Sequence, residues 1–226
     1  MPNCQCIAVI GAGGKTTLLR LLGHAHAREH VLLTTTTHIY PFGPDGCDRL
    51  CVDPDPAALR AALAVPGVVC AGCTAAEGKL TGLPEPVWEA ARAASDWIFY
   101  EADGSKHLPL KLHRPDEPVI RPDTDLCLLV AGLSALGQPV GAVVHRYGLH
   151  PVWQAAPDRP TGTDEILYCI REGLAASGMP CARCRVLLSQ ADTPARYAAG
   201  AVIRDVLTAE GISADFFDRD NFHPPV

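Results

Sequence analysis

The densest chemistry in this chain lies in Gly11-Ala12-Gly13-Gly14-Lys15-Thr16-Thr17. Three glycines in four positions make a turn that side chains would obstruct, and their N–H groups can approach an anion closely. Lys15 is placed to reach the β- and γ-phosphates of ATP or GTP, and the Thr16 hydroxyl to sit on Mg²⁺. Lys15 is expected to face solvent until phosphate arrives. A second group is Glu101-Ala102-Asp103-Gly104. Two carboxylates two residues apart in extended chain share one face. Glu101 is the candidate Mg²⁺ ligand with Thr16, Asp103 the candidate for orienting water or substrate, and the Gly104 N–H a candidate γ-phosphate sensor. A third group is the run Thr34 to Thr37, whose hydroxyls, Thr36 and Thr37 above all, could position phosphate, Mg²⁺ or water. A polar strand end with satisfied hydroxyls is the plainer alternative.

The loop departs from the commonest phosphate-binding spacing. A glycine is wanted five residues before Gly14, and Val9 stands there. The shorter Gly-Ala-Gly-Gly-Lys-Thr-Thr resembles the compact loop of the Mur ligases. A dinucleotide fingerprint needs Gly-x-Gly-x-x-Gly, but Thr16 occupies the third glycine position and Lys15 would be superfluous. A glycine-rich strand–helix turn without a ligand is the remaining alternative.

These groups need elements to hold them. Apolar residues 7–10 read as a buried strand running into the glycine turn, and Leu18, Leu19, Leu21 and Leu22 recur on one helical face after it. Residues 30–37 predict a second strand, 40–56 a loop, 57–65 a short helix and 67–71 a strand, with a helix opening at Pro84. The bulky run Trp97-Ile98-Phe99-Tyr100 predicts the strand that delivers Glu101. Thr163-Asp164-Glu165 suits a helix start. Residues 185–188 predict a strand, 194–210 an amphipathic helix and 212–217 a last strand before a polar tail. Alternating strands and helices argue for one α/β domain over residues 1–226, three-layered, P-loop NTPase-like, with a largely parallel β-sheet. Asp192, after Ser189-Gln190-Ala191, sits where GTPases carry Asn-Lys-x-Asp. It is a candidate base reader, or equally the cap of the helix near Pro194; the loss of Asn and Lys weakens guanine specificity.

Bulk properties narrow the partners. The 226 residues carry a formal charge of −6 with 48% apolar content, which disfavours nucleic acid as a main partner. Met1-Pro2-Asn3 has no basic leader character. Residues 126–144 have no formal charge and are long enough to cross a membrane, but Gly132, Gly137, Gln138, Pro139 and Gly141 interrupt them. A buried strand followed by a loop is the better reading, so the expectation is a cytoplasmic protein without a membrane partner. The ten cysteines include Cys70-x-x-Cys73 and Cys181-x-x-Cys184, which could make a tetrahedral zinc site if the fold joined them. At more than a hundred residues apart, buried or incidental thiols are favoured.

In chain order, residues 11–17, 34–38 and the block Glu101-Ala102-Asp103-Gly104-Ser105-Lys106-His107-Leu108-Pro109-Leu110-Lys111 are followed by three shorter matches. These are Glu117-Pro118-Val119-Ile120, Ala131-Gly132-Leu133-Ser134-Ala135-Leu136-Gly137 and His145-Arg146. Together they resemble the YqeC family, described as accessory proteins of selenium-dependent hydroxylases. The resemblance implies a P-loop domain that assists maturation of a molybdenum- and selenium-containing hydroxylase, with that hydroxylase or its maturation proteins as partners. Lys106 and Lys111 are then ion-pair partners of the carboxylates or grips for an anionic substrate. His145 and Arg146 are a candidate proton donor and anion clamp. Three functions stay open: a Mg²⁺-dependent ATP or GTP hydrolase, phosphoryl transfer or ligation on a small acceptor, and a nucleotide-gated chaperone with negligible turnover.

Overall fold

The apolar run at 7–10 forms the middle of a sheet whose neighbours come from distant parts of the chain. The computed structural model describes residues 4–219 and 222–225, so Met1-Pro2-Asn3, where a leader would begin, lies outside the described residues. The chain starts with β1 (Gln5–Gly11), α1 (Lys15–Ala25), β2 (His30–Thr35), β3 (His38–Ile39), β4 (Arg49–Val52), α2 (Pro56–Leu63) and β5 (Gly67–Thr74). It continues through β6 (Leu80–Thr81), α3 (Glu85–Ala94), β7 (Trp97–Glu101), β8 (Leu110–Lys111), β9 (Leu126–Gly132), α4 (Val140–Val143) and β10 (Val144–His145). It ends with α5 (Pro151–Ala155), α6 (Thr163–Ser177), β11 (Cys184–Ser189), α7 (Pro194–Ala209) and β12 (Ser213–Phe217).

The main sheet runs β12-β11-β9-β1-β7-β2-β5-β6-β3, with β4 also on β5. All pairings are parallel except those of β6 with β5 and β3. Period-two alternation sends Ile7 and Val9 to one face and Ala8 and Ile10 to the other. The first face packs on Leu18, Leu19 and Leu22 of α1. The second packs on α2, α3, α6 and α7 through Leu59, Trp88, Ile170 and Ile203. Both faces are covered, as a mostly parallel sheet requires, which makes three layers. β8 and β10 form a separate two-stranded sheet.

Several local expectations change. The span 40–56 is not all loop. It contains β4, hidden in sequence by flanking Asp, Gly and Pro; its Leu50 and Val52 share the exposed face of the strand, while Cys51 on the other face packs against the core. The second strand stops at Thr35, whose hydroxyl accepts the Thr37 N–H and donates to the Glu101 carbonyl, turning the chain. Helix α6 is capped at Gly162, whose N–H is held by the Glu165 carboxylate, and not at Thr163. Thr193 caps α7, accepting the Arg196 N–H, so Asp192 is not the cap. The uncharged stretch at 126–144 is β9 followed by short helical turns, and no helix among the described residues is long and apolar enough to cross a membrane. Cys70 on β5 and Cys184 on β11 are separated by four intervening strands, roughly 24 Å at ordinary strand spacing. The four-cysteine zinc site therefore does not form.

Candidate phosphate-binding site

The glycine turn is shaped by its surroundings as much as by its composition. Gly11 has φ 87° and a Cβ there would lie 2.3 Å from the Val130 carbonyl oxygen; at Gly13 (φ 86°) it would lie 2.7 Å from the Gly132 Cα. Only glycine fits both positions. The Ser189 hydroxyl donates to the Gly13 carbonyl at 2.6 Å and pins the turn to β11. Two loop amides are already committed: Gly11 N–H donates to Asp103 Oδ2 at 2.9 Å, and Ala12 N–H to the Val130 carbonyl at 2.8 Å. Those of Gly13 and Gly14 have no acceptor among the described residues. No side chain caps α1, so the N–H groups of Lys15, Thr16 and Thr17 in its first turn remain available too. Open amides at a helix start, with the positive end of the helix dipole behind them, are what an anion requires.

Lys15 does not face solvent. It is 4% exposed, donates to the Gly11 carbonyl at 2.7 Å, and pairs with Asp103 Oδ1 at 3.0 Å and Glu101 Oε1 at 3.8 Å. Burial pulls its pKa down, but Asp103 and Glu101 outweigh that and leave it raised, so it stays charged. An ammonium has three donors. One is filled by the Gly11 carbonyl; the contact to Asp103 Oδ1 is an ion pair without hydrogen-bond alignment, which leaves donor capacity for the cleft that Lys15 lines.

Asp103 is fully buried and ties the loop to the interior. Its Oδ2 also accepts from His113 Nε2 at 2.8 Å and faces Lys111 Nζ at 3.2 Å. His113 Nδ1 in turn donates to Glu172 Oε2 at 2.8 Å. Burial opposes charge on both groups, but the three cations hold the Asp103 carboxyl below its usual range, and its two carboxylate partners raise His113. Lys111 continues to Glu117 at 3.0 Å, and Glu117 grips Arg146 through both oxygens. Burial resists the charge on Glu117, yet Arg146 and Lys111 lower its pKa to about 2. Glu101 differs. Burial and nearby Asp103 push it up to about 7 against the pull of Lys15, leaving it poised between protonation states.

A cleft of about 600 Å³ opens over the loop. Gly13, Gly14, Lys15, Thr16, Thr17, Glu101 and Gly104 of the predicted set line it, so the structure brings those residues together. Gly11, Ala12 and Asp103 lie beneath it as supports. Thr36 and Thr37 do not line it: Thr36 donates to the Val119 carbonyl at 2.7 Å, and Thr37 lies 3.3 Å from the Thr35 hydroxyl. Asp192 is also outside the lining, its side chain 69% exposed and paired with Arg196, whereas Gln190 lines the cleft. His145 reaches the cleft, but burial and the charges of Arg146, Lys111 and Lys106 lower it to about 4, so it is neutral at pH 7 and holds no proton to give as imidazolium.

The set would fit a nucleotide with Mg²⁺: open amides, a charged lysine, and a hydroxyl and a carboxylate (Thr16 and Glu101) on one cleft. The sequence reading missed His113 and Glu172, and the lip formed by His38, Tyr40 and Lys79. One signal was present. In Leu110-Lys111-Leu112-His113 the alternation puts Lys111 and His113 on one face, and both meet Asp103. For Glu172, 59 residues further on, no local signal exists.

Comparison with known proteins gives three findings. The family model YqeC protein matches residues 7–148. The chain is 38% identical over 174 residues to a protein of Escherichia coli (strain K12) named Uncharacterized protein YqeC, spanning 73% of this chain and 67% of that one. Among solved structures, FtsY from Mycoplasma mycoides aligns with a TM-score of 0.45 at 11% identity, covering 95% of this chain and 60% of the other.

Proposed function

The chain belongs to the YqeC family, and on that premise we propose that it is a Mg²⁺-dependent nucleotide-binding protein that hydrolyses ATP or GTP. The observation that carries this reading is the state of Lys15: buried, charged and held by Asp103 beneath a cleft lined with open amides. The loop amides of Gly13 and Gly14 and the start of α1 bind the phosphates. Lys15 gives its open donor capacity to them without leaving its ion pair with Asp103. Thr16 and Glu101 hold the metal, and Glu101 must ionise to do so. Mg²⁺, when bound, neutralises charge on the β- and γ-phosphates and orients the terminal phosphoryl group. Asp103 keeps the loop and Lys15 fixed, so little reorganisation is needed when charge develops. The service this provides, as an accessory step for a selenium-dependent molybdenum hydroxylase, rests on the family resemblance alone.

Phosphoryl transfer to a small acceptor is the second reading. It is favoured by the cleft's positive side chains beyond the loop against one lining carboxylate, Glu101. Phosphate release from Mg·ATP and Mg·GTP, with and without candidate acceptors, tests the assignment. Steady release without acceptor supports hydrolysis, and release or consumption only with acceptor supports transfer. Binding without any turnover would leave a nucleotide-gated chaperone and overturn the enzymatic reading.

A further inference from the structure

The cleft carries basic side chains beyond those of the phosphate loop. The open amides, the start of α1 and Lys15 already make up the usual complement for a triphosphate. Beyond them stands a wall built by the turn after β7 and the end of β10: Lys106, His107, His145 and Arg146. Neither the Lys106 ammonium nor the rings of His107 and His145 have a hydrogen-bond or ion-pair partner among the described residues.

The backbone of this wall is held in an unfavoured conformation. Lys106 has φ 50°, His107 φ 61° and Arg146 φ 63°, and Gln190, on the same cleft, has φ 61°. Among the described non-glycine residues only Asp53 and Glu77 share that region. Left-handed backbone at non-glycine residues costs free energy and persists where the surroundings enforce it, often at ligand sites. At Lys106 and His107 it belongs to a tight turn closed by the Leu108 N–H on the Ser105 carbonyl at 3.0 Å; at Arg146 the enforcement comes from behind. Glu117 grips Arg146 and Lys111 together, and the Leu112 N–H donates to the His145 carbonyl at 2.9 Å. Arg146 and His145 are fastened from the rear, while Lys106 and His107 are exposed at the front of the cleft and bond no other side chain among the described residues. Burial, and then the charges of Arg146, Lys111 and Lys106 against the opposing pull of Glu117, lower the His145 pKa.

We propose that this wall is a second anion subsite, which takes the tetrahedral oxyanion of a small phosphorylated ligand bound alongside the nucleotide. The inference rests on the nucleotide reading above, and its test separates the two. Protein loaded with Mg²⁺ and a non-hydrolysable ATP or GTP analogue is titrated with inorganic phosphate and with glycerol phosphate. The variant is Lys106→Gly/His107→Gly, since glycine removes both side chains and relaxes the left-handed backbone, so folding is not at risk.

The loaded parent should bind both anions. The double variant should lose at least tenfold in anion affinity while its analogue affinity changes less than twofold, and Lys106→Arg should retain anion binding. The proposal is overturned if the loaded parent binds neither anion, or if the double variant loses analogue and anion affinity together, which would give the wall to the triphosphate. Binding of inorganic phosphate with exclusion of glycerol phosphate would assign the wall to released phosphate and also overturn it. If no analogue binds, the nucleotide reading has failed, and the nucleotide-free protein decides the subsite. Phosphate affinity lost in Lys106→Gly/His107→Gly but kept in Lys15→Ala retains it, and equal loss in both removes it.

Discussion

The two flanks of β1 end in opposite ways. On the β7 side the strand delivers Glu101 and Asp103 into a buried ionic network that runs through Lys15, Lys111, His113 and Glu117. On the side of β9 and β11 the strands end in Gly132, Ser189 and Gln190, with neutral contacts such as that of the Ser134 hydroxyl to Gln190. Asp192, the only acid in that turn, points to solvent. Buried ion pairs add little net stability, because desolvation offsets their attraction, but removing one partner leaves an uncompensated buried charge. On the proposed nucleotide reading, the contrast separates two tasks: phosphate recognition falls to the ionic flank, and base recognition to a flank with few polar groups.

The largest test of that contrast is Asp103→Asn. It leaves Lys15 and Lys111 buried with less counter-charge, so unfolding stability should fall by about 3 kcal/mol. Asp192→Asn, on the other flank, should leave the urea midpoint unchanged. Similar midpoints for the two variants would break the comparison. Next, Glu101→Gln should weaken the Mg²⁺ dependence of nucleotide binding about tenfold or more, the scale of a lost charged ligand contact. Asp125→Asn should not, since Asp125 accepts the Cys6 N–H at the start of β1. Equal Mg²⁺ titrations would make Glu101 purely structural.

A pH series sharpens the first flank further. The folded pKa of Glu117, about 2, lies below its ordinary value of 4.5. Its contribution is therefore complete above about pH 4.5 and is lost as pH falls toward 2. Glu117→Gln should be less stable than the parent at pH 7 and equal to it near pH 2, read from unfolding midpoints across the range. A constant gap would assign its effect to packing. The smallest effect is on the base. Because Asp192 lies outside the cleft, Asp192→Ala should change the ATP:GTP affinity ratio by less than about twofold, while Gln190→Ala should shift it by several-fold, the range for one neutral hydrogen bond. A large shift from Asp192→Ala would move the base pocket to the Asp192 side.

What could be read locally was read well. The turn from Gly11 to Thr17, the strand before it and the strand ending at Glu101 each follow from residue types within a dozen positions. What depended on remote partners could not be. Lys15 looks like an exposed lysine until Asp103, 88 positions away, is placed beside it by the pairing of β1 with β7. Asp103 reads as a group for water or substrate until Gly11, His113 and Lys111 gather on its Oδ2 and Lys15 stands against its Oδ1. Thr36 and Thr37 looked like phosphate ligands because the strand was expected to run through them, and Thr35 turns the chain instead. β4 escaped because an edge strand of four residues needs no long apolar run.

The proposed function stands or falls with nucleotide binding through Lys15. Isothermal titration of the parent and of Lys15→Ala with Mg·ATP and Mg·GTP tests it most directly, with circular dichroism at the titration temperature to verify that the variant is folded. We expect one site for either nucleotide in the parent and at least a hundredfold loss in folded Lys15→Ala. No heat from either nucleotide in the parent, or undiminished affinity in the variant, would contradict it.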